Sequence, residues 1–273
     1  MPWTAPGADV LPDPALTRAY EGCLPGGRFS GPLLAFDSVT STQTVARGLA
    51  AAGAPEGTVV VADRQSAGRG RRGRRWTAPP GKALLFSCVL RPPLPPPRWP
   101  ELAIAAGCAV AEGIEAVTLA RPGLKWPNDV LLAGRKVGGI LAEGDLAAPP
   151  SVVLGIGVNV SQERDDWPPE LVTAAASLAS LGFAVRRGTL LAAILARLAA
   201  RYDDLIARGF EPMRTAWRGR ALLGGRVRTP AGEGVAVDLA PGGALVVRRD
   251  DGATVTIVAD VEPGTPVPTR AGD

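Results

Sequence analysis

The segment that most constrains this chain begins at Thr58-Val59-Val60-Val61-Ala62, an unbroken apolar run that reads as a buried strand. A few residues later it gives way to Gly68-Arg69-Gly70-Arg71-Arg72-Gly73-Arg74-Arg75-Trp76. The fold must therefore carry a buried strand out to a loop where guanidinium groups can meet water or an anion. The glycines let the backbone take positive φ and approach a ligand closely. The arginines supply planar forks suited to phosphate and carboxylate. Most of the excess behind the net charge of +4 lies between Arg64 and Arg75. Basicity is thus local, whereas a uniformly basic surface would argue for nucleic acid.

About fifty residues on stands Lys125-Trp126-Pro127-Asn128-Asp129-Val130, with an ammonium beside an indole, a turn and a carboxamide–carboxylate pair. Only three of the 30 basic residues are lysines (Lys82, Lys125, Lys136), so a compact ammonium here is the unusual choice. Flanked by Trp126 and Pro127, Lys125 is expected to be partly buried and to need an anionic partner. Together the two segments point to a site that holds an acid and a nucleoside triphosphate and joins them. Each has a plainer reading. Gly-Arg alternation also occurs in RNA-contacting tracts, but an aromatic content of 5% leaves little for base stacking. Asn128-Asp129 alone reads as an ordinary turn. Gly138-Gly139 and Gly155-Ile156-Gly157 read either as packing or bulge glycines or as bare backbone for a flat ligand.

The chain contains no histidine, which excludes Ser-His-Asp triads, His general acid–base catalysis and His-ligated zinc. Cys23, Cys88 and Cys108 have no metal-like spacing, and the last two sit in apolar runs as reduced core residues, which favours the cytoplasm. No apolar run approaches the roughly 18 residues of a membrane span, and the proline-rich start lacks a signal-peptide pattern.

Length suits one large domain plus a small one. Residues 1–31 read as a flexible N-terminal arm, 32–220 as the main domain, 221–265 as a small β-barrel and 266–273 as a tail. Strands are expected at Leu33–Phe36, Thr58–Ala62, Ala83–Leu90, Val130–Leu132, Val137–Glu143 (broken by Gly138-Gly139) and Val152–Val160. A helix opens at Ser41-Thr42-Gln43, with Ser41 or Thr40 as N-cap, and stops at Gly53. Helices follow over Glu101–Leu119, ahead of a Pro122-Gly123 turn, and over Thr189–Arg208. In the last of these Leu191, Ile194, Leu195, Leu198, Tyr202 and Leu205 share one face. From Gly225 short strands alternate with Gly-containing turns. The main domain is α+β.

Ser41-Thr42-Gln43, Gln65, Gly68–Trp76, Lys125–Val130, Lys136–Glu143 and Gly155–Asn159, in that order, resemble the biotin protein ligases over roughly residues 33–262. The resemblance implies a class II synthetase-like mixed-sheet catalytic domain with a C-terminal SH3-like β-barrel. It implies that biotin is activated by ATP to biotinyl-5'-AMP and passed to a lysine of a biotin carboxyl carrier domain of an acyl-CoA carboxylase. By the same resemblance Ser41, Thr42, Gln43 and Gln65 contact biotin, and Arg69, Gly70 and Arg71 lie over biotin and adenylate. Lys125 bridges the biotin carboxyl and the α-phosphate, making it catalytic together with Arg69. Trp76, Asn128, Asp129 and Lys136 serve ATP or its adenylate. Mg²⁺ accompanies ATP near Asn128 and Asp129, with no protein cluster for a metal. The family's usual Ser-Thr-Asn reads Ser-Thr-Gln here. No helix-turn-helix segment precedes Ser41, so the single-function subtype without specific DNA binding is expected. Lipoate–protein ligases share the fold, but their Arg-Arg-x-x-Gly-Gly-Gly loop and histidine are missing. A non-catalytic binder, the other alternative, is at odds with intact Lys125 and Arg69.

Overall fold

The computed structural model of the protein describes residues 11–147, 149–258 and 262–263. Its main sheet has seven strands in the order β1-β2-β3-β7-β6-β5-β4. These are β1 (Leu33–Val39), β2 (Val59–Gln65), β3 (Ala83–Leu90), β4 (Gly123–Lys125), β5 (Asp129–Leu132), β6 (Arg135–Asp145) and β7 (Ser151–Asn159). Only β1 and β2 run parallel; the other neighbours are antiparallel.

Alternation along the strands divides the apolar residues between two faces. Val59, Val61, Leu84, Phe86, Leu154 and Ile156 enter the larger core, beneath α3 (Pro100–Thr118) and α4 (Arg187–Arg208). Val60, Ala62, Val89 and Val153 meet α2 (Thr42–Ala51) on the opposite face. Helix α2 covers only the β2, β3 and β7 end of that face, which leaves room beside it. Its N-terminus is capped by Ser41, whose Oγ accepts from Gln43 N. Its far end is gripped by Arg91, whose guanidinium donates to Ala50 O (3.0 Å), Ala54 O (2.8 Å) and, across the β6–β7 connection, Pro149 O (2.8 Å). A cation at helix carbonyls also complements the helix dipole.

Several expectations are corrected. Residues 14–21 form a helix, α1 (Pro14–Glu21), rather than part of a loose arm. Asp13 caps it with bonds of 2.7 and 2.9 Å to the Ala15 and Leu16 amides, and Pro14 fills the first helical position. Tyr20 and Phe29 are buried. Asp13 N also donates to Ala35 O, so α1 is tied to the edge of β1. Residues 1–10 and the expected tail 266–273 lie outside the described residues. Strand β6 runs through Gly138-Gly139 as one strand, and its irregularity is a bulge one residue earlier: Val130 pairs with Gly138 and Leu131 with Lys136, so Val137 is left out of the ladder. The turn expected at Pro122-Gly123 opens strand β4 instead, and α5 (Glu211–Arg218), buried through Met213 and Trp217, was not expected.

The C-terminal strands β8 (Arg226–Thr229), β9 (Gly232–Leu239), β10 (Leu245–Arg249), β11 (Thr254–Ile257) and β12 (Glu262–Pro263) form a five-stranded antiparallel sheet that fits an SH3-like domain. Just ahead of it the chain lies along β4: Leu124 N donates to Arg220 O (2.8 Å) and Leu222 N to Leu124 O (2.9 Å). Among the described residues no helix is long and apolar enough to cross a membrane. Burial pushes the Cys88 and Cys108 thiols up, the latter to about 12, so both are inert core side chains.

Asp238 on β9 accepts from Arg218 Nε (2.5 Å) and Arg214 Nη2 (2.9 Å), joining α5 to the C-terminal sheet. These bonds, led by Arg218, hold its carboxyl well below the usual carboxylate range. A depressed folded-state pKa contributes stability above the unfolded value of about 4 that is lost as pH falls further. Asp238→Asn should therefore melt lower than wild type at pH 7 and lose less stability on acidification below about pH 4. Thermal melts across that range would disprove the linkage if both proteins followed parallel curves.

Candidate functional site

Strand register builds the site. Lys125 is paired with Asp129, Asp129 with Gly139, Gly139 with Gly157, and Gly157 with Leu85. Directly paired residues share a face, so these five form a row across β4, β5, β6, β7 and β3. At the usual strand spacing the row spans about 19 Å. It lies on the α2 side of the sheet, in the part α2 leaves uncovered. A cavity of about 450 Å³ occupies that space. All twelve site residues expected from the sequence line it: Ser41, Thr42, Gln43, Gln65, Arg69, Gly70, Arg71, Trp76, Lys125, Asn128, Asp129 and Lys136.

At the α2 end the cavity wall is a network of hydroxyls and amides. Gln65 Oε1 accepts from Thr42 N (2.8 Å) and Thr42 Oγ1 (3.1 Å). Ser87 Oγ lies 2.9 Å from Thr42 Oγ1 and 3.3 Å from Gln43 Oε1. Gln43 Nε2 donates to Val153 O (3.0 Å). Ser41, Thr42 and Gln43 are all buried. The longer glutamine fits because position 155 is glycine: a Cβ there would lie 2.4 Å from Gln43 Oε1. Ser87 was missed from the sequence, although a serine inside the apolar run Leu84–Leu90 was a signal.

The Gly/Arg loop is a hairpin. Arg69 bridges to Arg75, Gly70 N donates to Arg74 O (2.8 Å) and Trp76 N to Gly68 O (3.1 Å). Its tip uses left-handed backbone at Arg72 (φ 54°) and Gly73 (φ 70°). At position 68 a Cβ would lie 2.3 Å from Trp76 O, so only glycine allows the closure. Among the loop's contacts, two anchor it on the sheet. Arg69 Nη2 pairs with Glu143 Oε1 at 2.7 Å, a partner that sequence reasoning missed. The Trp76 ring rests on Gly157 and Gly139, where added Cβ atoms would lie 2.7 and 3.0 Å from it. Gly155 is therefore a packing glycine for Gln43, and Gly139 and Gly157 are packing glycines for Trp76. The Lys136 ammonium stands 5.7 Å from the Trp76 ring centroid and 2.5 Å from Asp129 Oδ1.

Lys125 is exposed, which corrects the expected partial burial, and has no ion-pair partner among the described residues. Its neighbour in register, Asp129, is engaged by Lys136. Asn128 Nδ2 is spent on Ile140 O (2.8 Å), securing the turn. Among the described residues no group of three or more acidic or cysteine side chains could hold a metal ion. With Asp129 Oδ1 held by the Lys136 ammonium, the pair leaves Asn128 Oδ1 and Asp129 Oδ2, too few oxygens for an all-protein Mg²⁺ site. Trp167, Leu171, Ala174 and Ala175, unforeseen from the sequence, add an apolar wall.

A mixed sheet with an arginine-rich loop over one bare face places the chain among acyl-activating ligases, and residues 35–159 match the model of the biotin/lipoate A/B protein ligase family. The bifunctional ligase/repressor BirA of Bacillus spizizenii is 40% identical over 236 residues, 84% of this chain and 73% of that protein. The biotin–[acetyl-CoA-carboxylase] ligase of Mycobacterium tuberculosis is 39% identical over 235 residues, 81% of this chain and 84% of that protein. Among solved structures, the biotin protein ligase of Aquifex aeolicus in complex with biotin and ATP superposes with a TM-score of 0.73 at 28% identity, covering 85% of this chain and 99% of that one. The chain belongs to the biotin protein ligases.

The loop's two anchorages predict its mobility. Glu143→Gln removes the counter-charge and Gly157→Ala lifts Trp76, so each should speed tryptic cleavage within residues 69–75 of the empty protein. Biotin plus ATP should slow cleavage of the wild type. Time courses in which both variants match wild type would show that the loop is held elsewhere.

Proposed function

We propose that the protein activates biotin with ATP and transfers it to a lysine of a biotin carboxyl carrier domain. The observation that carries the site assignment is the unpaired Lys125 ammonium, in one row with the glycine floor, between the amide-lined end and the arginine loop. A biotin carboxylate oxygen attacks the α-phosphorus of ATP; pyrophosphate leaves and biotinyl-5'-AMP remains. The carrier lysine's ammonium gives up one proton, the resulting amine attacks the acyl carbon, the bond to phosphate oxygen breaks and AMP departs, and a second proton leaves the nitrogen as the amide forms.

The first step brings two anions together, so it depends on charge neutralisation and positioning rather than on a base. The wall formed by Ser41, Thr42, Gln43 and Gln65 offers the donors and acceptors that a cyclic urea requires. Lys125 neutralises the carboxylate and α-phosphate where they meet. Arg69, Gly70 and Arg71 cover the intermediate and keep water from it, while Trp167 and Leu171 offer an apolar surface to a base. Trp76 serves the adenylate indirectly, seating the loop on its glycines, and Lys136 with Asp129 and Asn128 shapes the adjoining wall. Magnesium enters as the counter-ion of ATP, and no step above depends on a protein-held metal. Residues 32–220 form the catalytic unit and 221–265 the SH3-like unit, and the reaction is placed in the cytoplasm.

Lys125→Ala should lower biotin-dependent ATP–pyrophosphate exchange by about a hundredfold while leaving the fold intact. The wild type should exchange with biotin and not with lipoate. Near-wild-type exchange in the variant would sink the assigned role; exchange with lipoate alone would sink the substrate.

A further inference from the structure

Trp126, within the Lys125–Val130 segment, has no part in the site described above. Lys125, Asn128 and Asp129 line the cavity, but Trp126 does not. It follows the last residue of β4 and turns into the larger core, where it is only 8% exposed. Its indole Nε1–H donates to Gly243 O at 2.9 Å. Gly243 lies in the turn between β9 and β10 and has φ +83°, and a Cβ there would lie 3.2 Å from Ile104. Glycine at 243 lets the turn approach α3 closely enough for its carbonyl to receive the indole.

The other neighbour of Lys125 is held by the same part of the chain. Leu124 bonds through both its amide and its carbonyl to Arg220 and Leu222, which lead into the C-terminal sheet. Strand β4 is three residues long, too short to be rigid on its pairing with β5 alone. The Lys125 side chain makes no ion pair among the described residues, so nothing grips the ammonium itself. A flexible four-carbon stem can be aimed only through its backbone, and the residues on both sides are bonded to the C-terminal part of the chain.

We infer that Trp126 is a positioning residue, through which the β9–β10 turn at Gly243 fixes the backbone that aims Lys125. The inference rests on the role of Lys125 proposed above. It differs from a purely structural role in its kinetic signature. Misplacing a charge needed when two anions meet lowers turnover more than it weakens biotin, whose ring is held by separate groups at the α2 end.

Trp126→Phe keeps the ring and removes the donor, and Gly243→Ala disturbs the same contact from the other side. Trp99→Phe is the matched control, because Trp99 Nε1 likewise donates to a carbonyl, Leu94 O at 3.0 Å, and does not line the cavity. Adenylate formation, thermal melting and hydrogen exchange of residues 123–132 are measured on all four proteins. Trp126→Phe and Gly243→Ala should lower kcat by about tenfold to a hundredfold with KM for biotin within about twofold of wild type. Both should speed exchange in the 123–132 hairpin, and Trp99→Phe should do neither. Unchanged kcat in Trp126→Phe, a loss carried by KM alone, an equal loss in Trp99→Phe, or unaltered hairpin exchange would each overturn the inference. A wild type that forms no adenylate would overturn the functional reading instead, and the exchange contrast would still decide whether the turn holds the hairpin.

Discussion

The pairing of Gly139 with Gly157 is the constraint on which the site depends. Two residues without side chains, opposite each other in adjacent strands, make a floor that no other pair of residues would leave open. Side chains alternate between faces, so a slip of one residue in the β6–β7 ladder would bring Ile156 or Val158 up into the cavity and turn glycines into the core. The same row carries Asp129 and Lys125 outward on one side and Leu85 on the other. The closed form of the loop needs the floor as well, since Trp76 rests on it. Cavity, lid and ammonium are thus set by one register.

The electrostatics follow from what the chain leaves out. With no histidine, the charged groups around the cavity are guanidinium and ammonium, which stay charged throughout the neutral range. A unit charge pair 4 Å apart is worth about 1 kcal/mol in water and about 4 kcal/mol at an effective dielectric of 20. Bringing anions beneath the loop therefore gains from the exclusion of water as well as from the charges themselves. Glu143 and Asp129 moderate the cost of gathering so many cations, each taking one, Arg69 and Lys136 respectively. Lys125 is left uncommitted.

Much of this was legible in the sequence. Apolar runs bounded by glycine and proline marked β2, β3 and β7, and helical periodicity marked α4, because those segments are buried and their pattern is local. All the named site residues converge on one cavity because they lie in short, unusual stretches whose composition has few structural uses. What stayed hidden was set by partners distant in the chain. Strand β4 is held between β5 and residues 220–222, Glu143 is defined by Arg69, and Lys125 is exposed because its neighbours, rather than it, are drawn into the core. The N-terminal segment misled because its prolines suggested an unstructured arm, whereas Asp13-Pro14 is a helix start whose value depends on docking to β1. Gln43 lines the cavity, and its fit depends on the absence of a side chain at Gly155.

Arg91 has a kinetic consequence. By joining the carbonyls at the end of α2 to the β6–β7 connection, it leaves that helix anchored at its far end as well as at its cap. The amide-lined wall of the cavity is then part of the rigid frame and cannot tilt aside to admit a ligand. The opposite wall is the loop, whose anchors on the sheet include one ion pair and one indole. Passage in and out of the cavity follows the weaker wall, so residence time is governed by how often the loop lifts, while recognition at the α2 end is governed by groups that do not move.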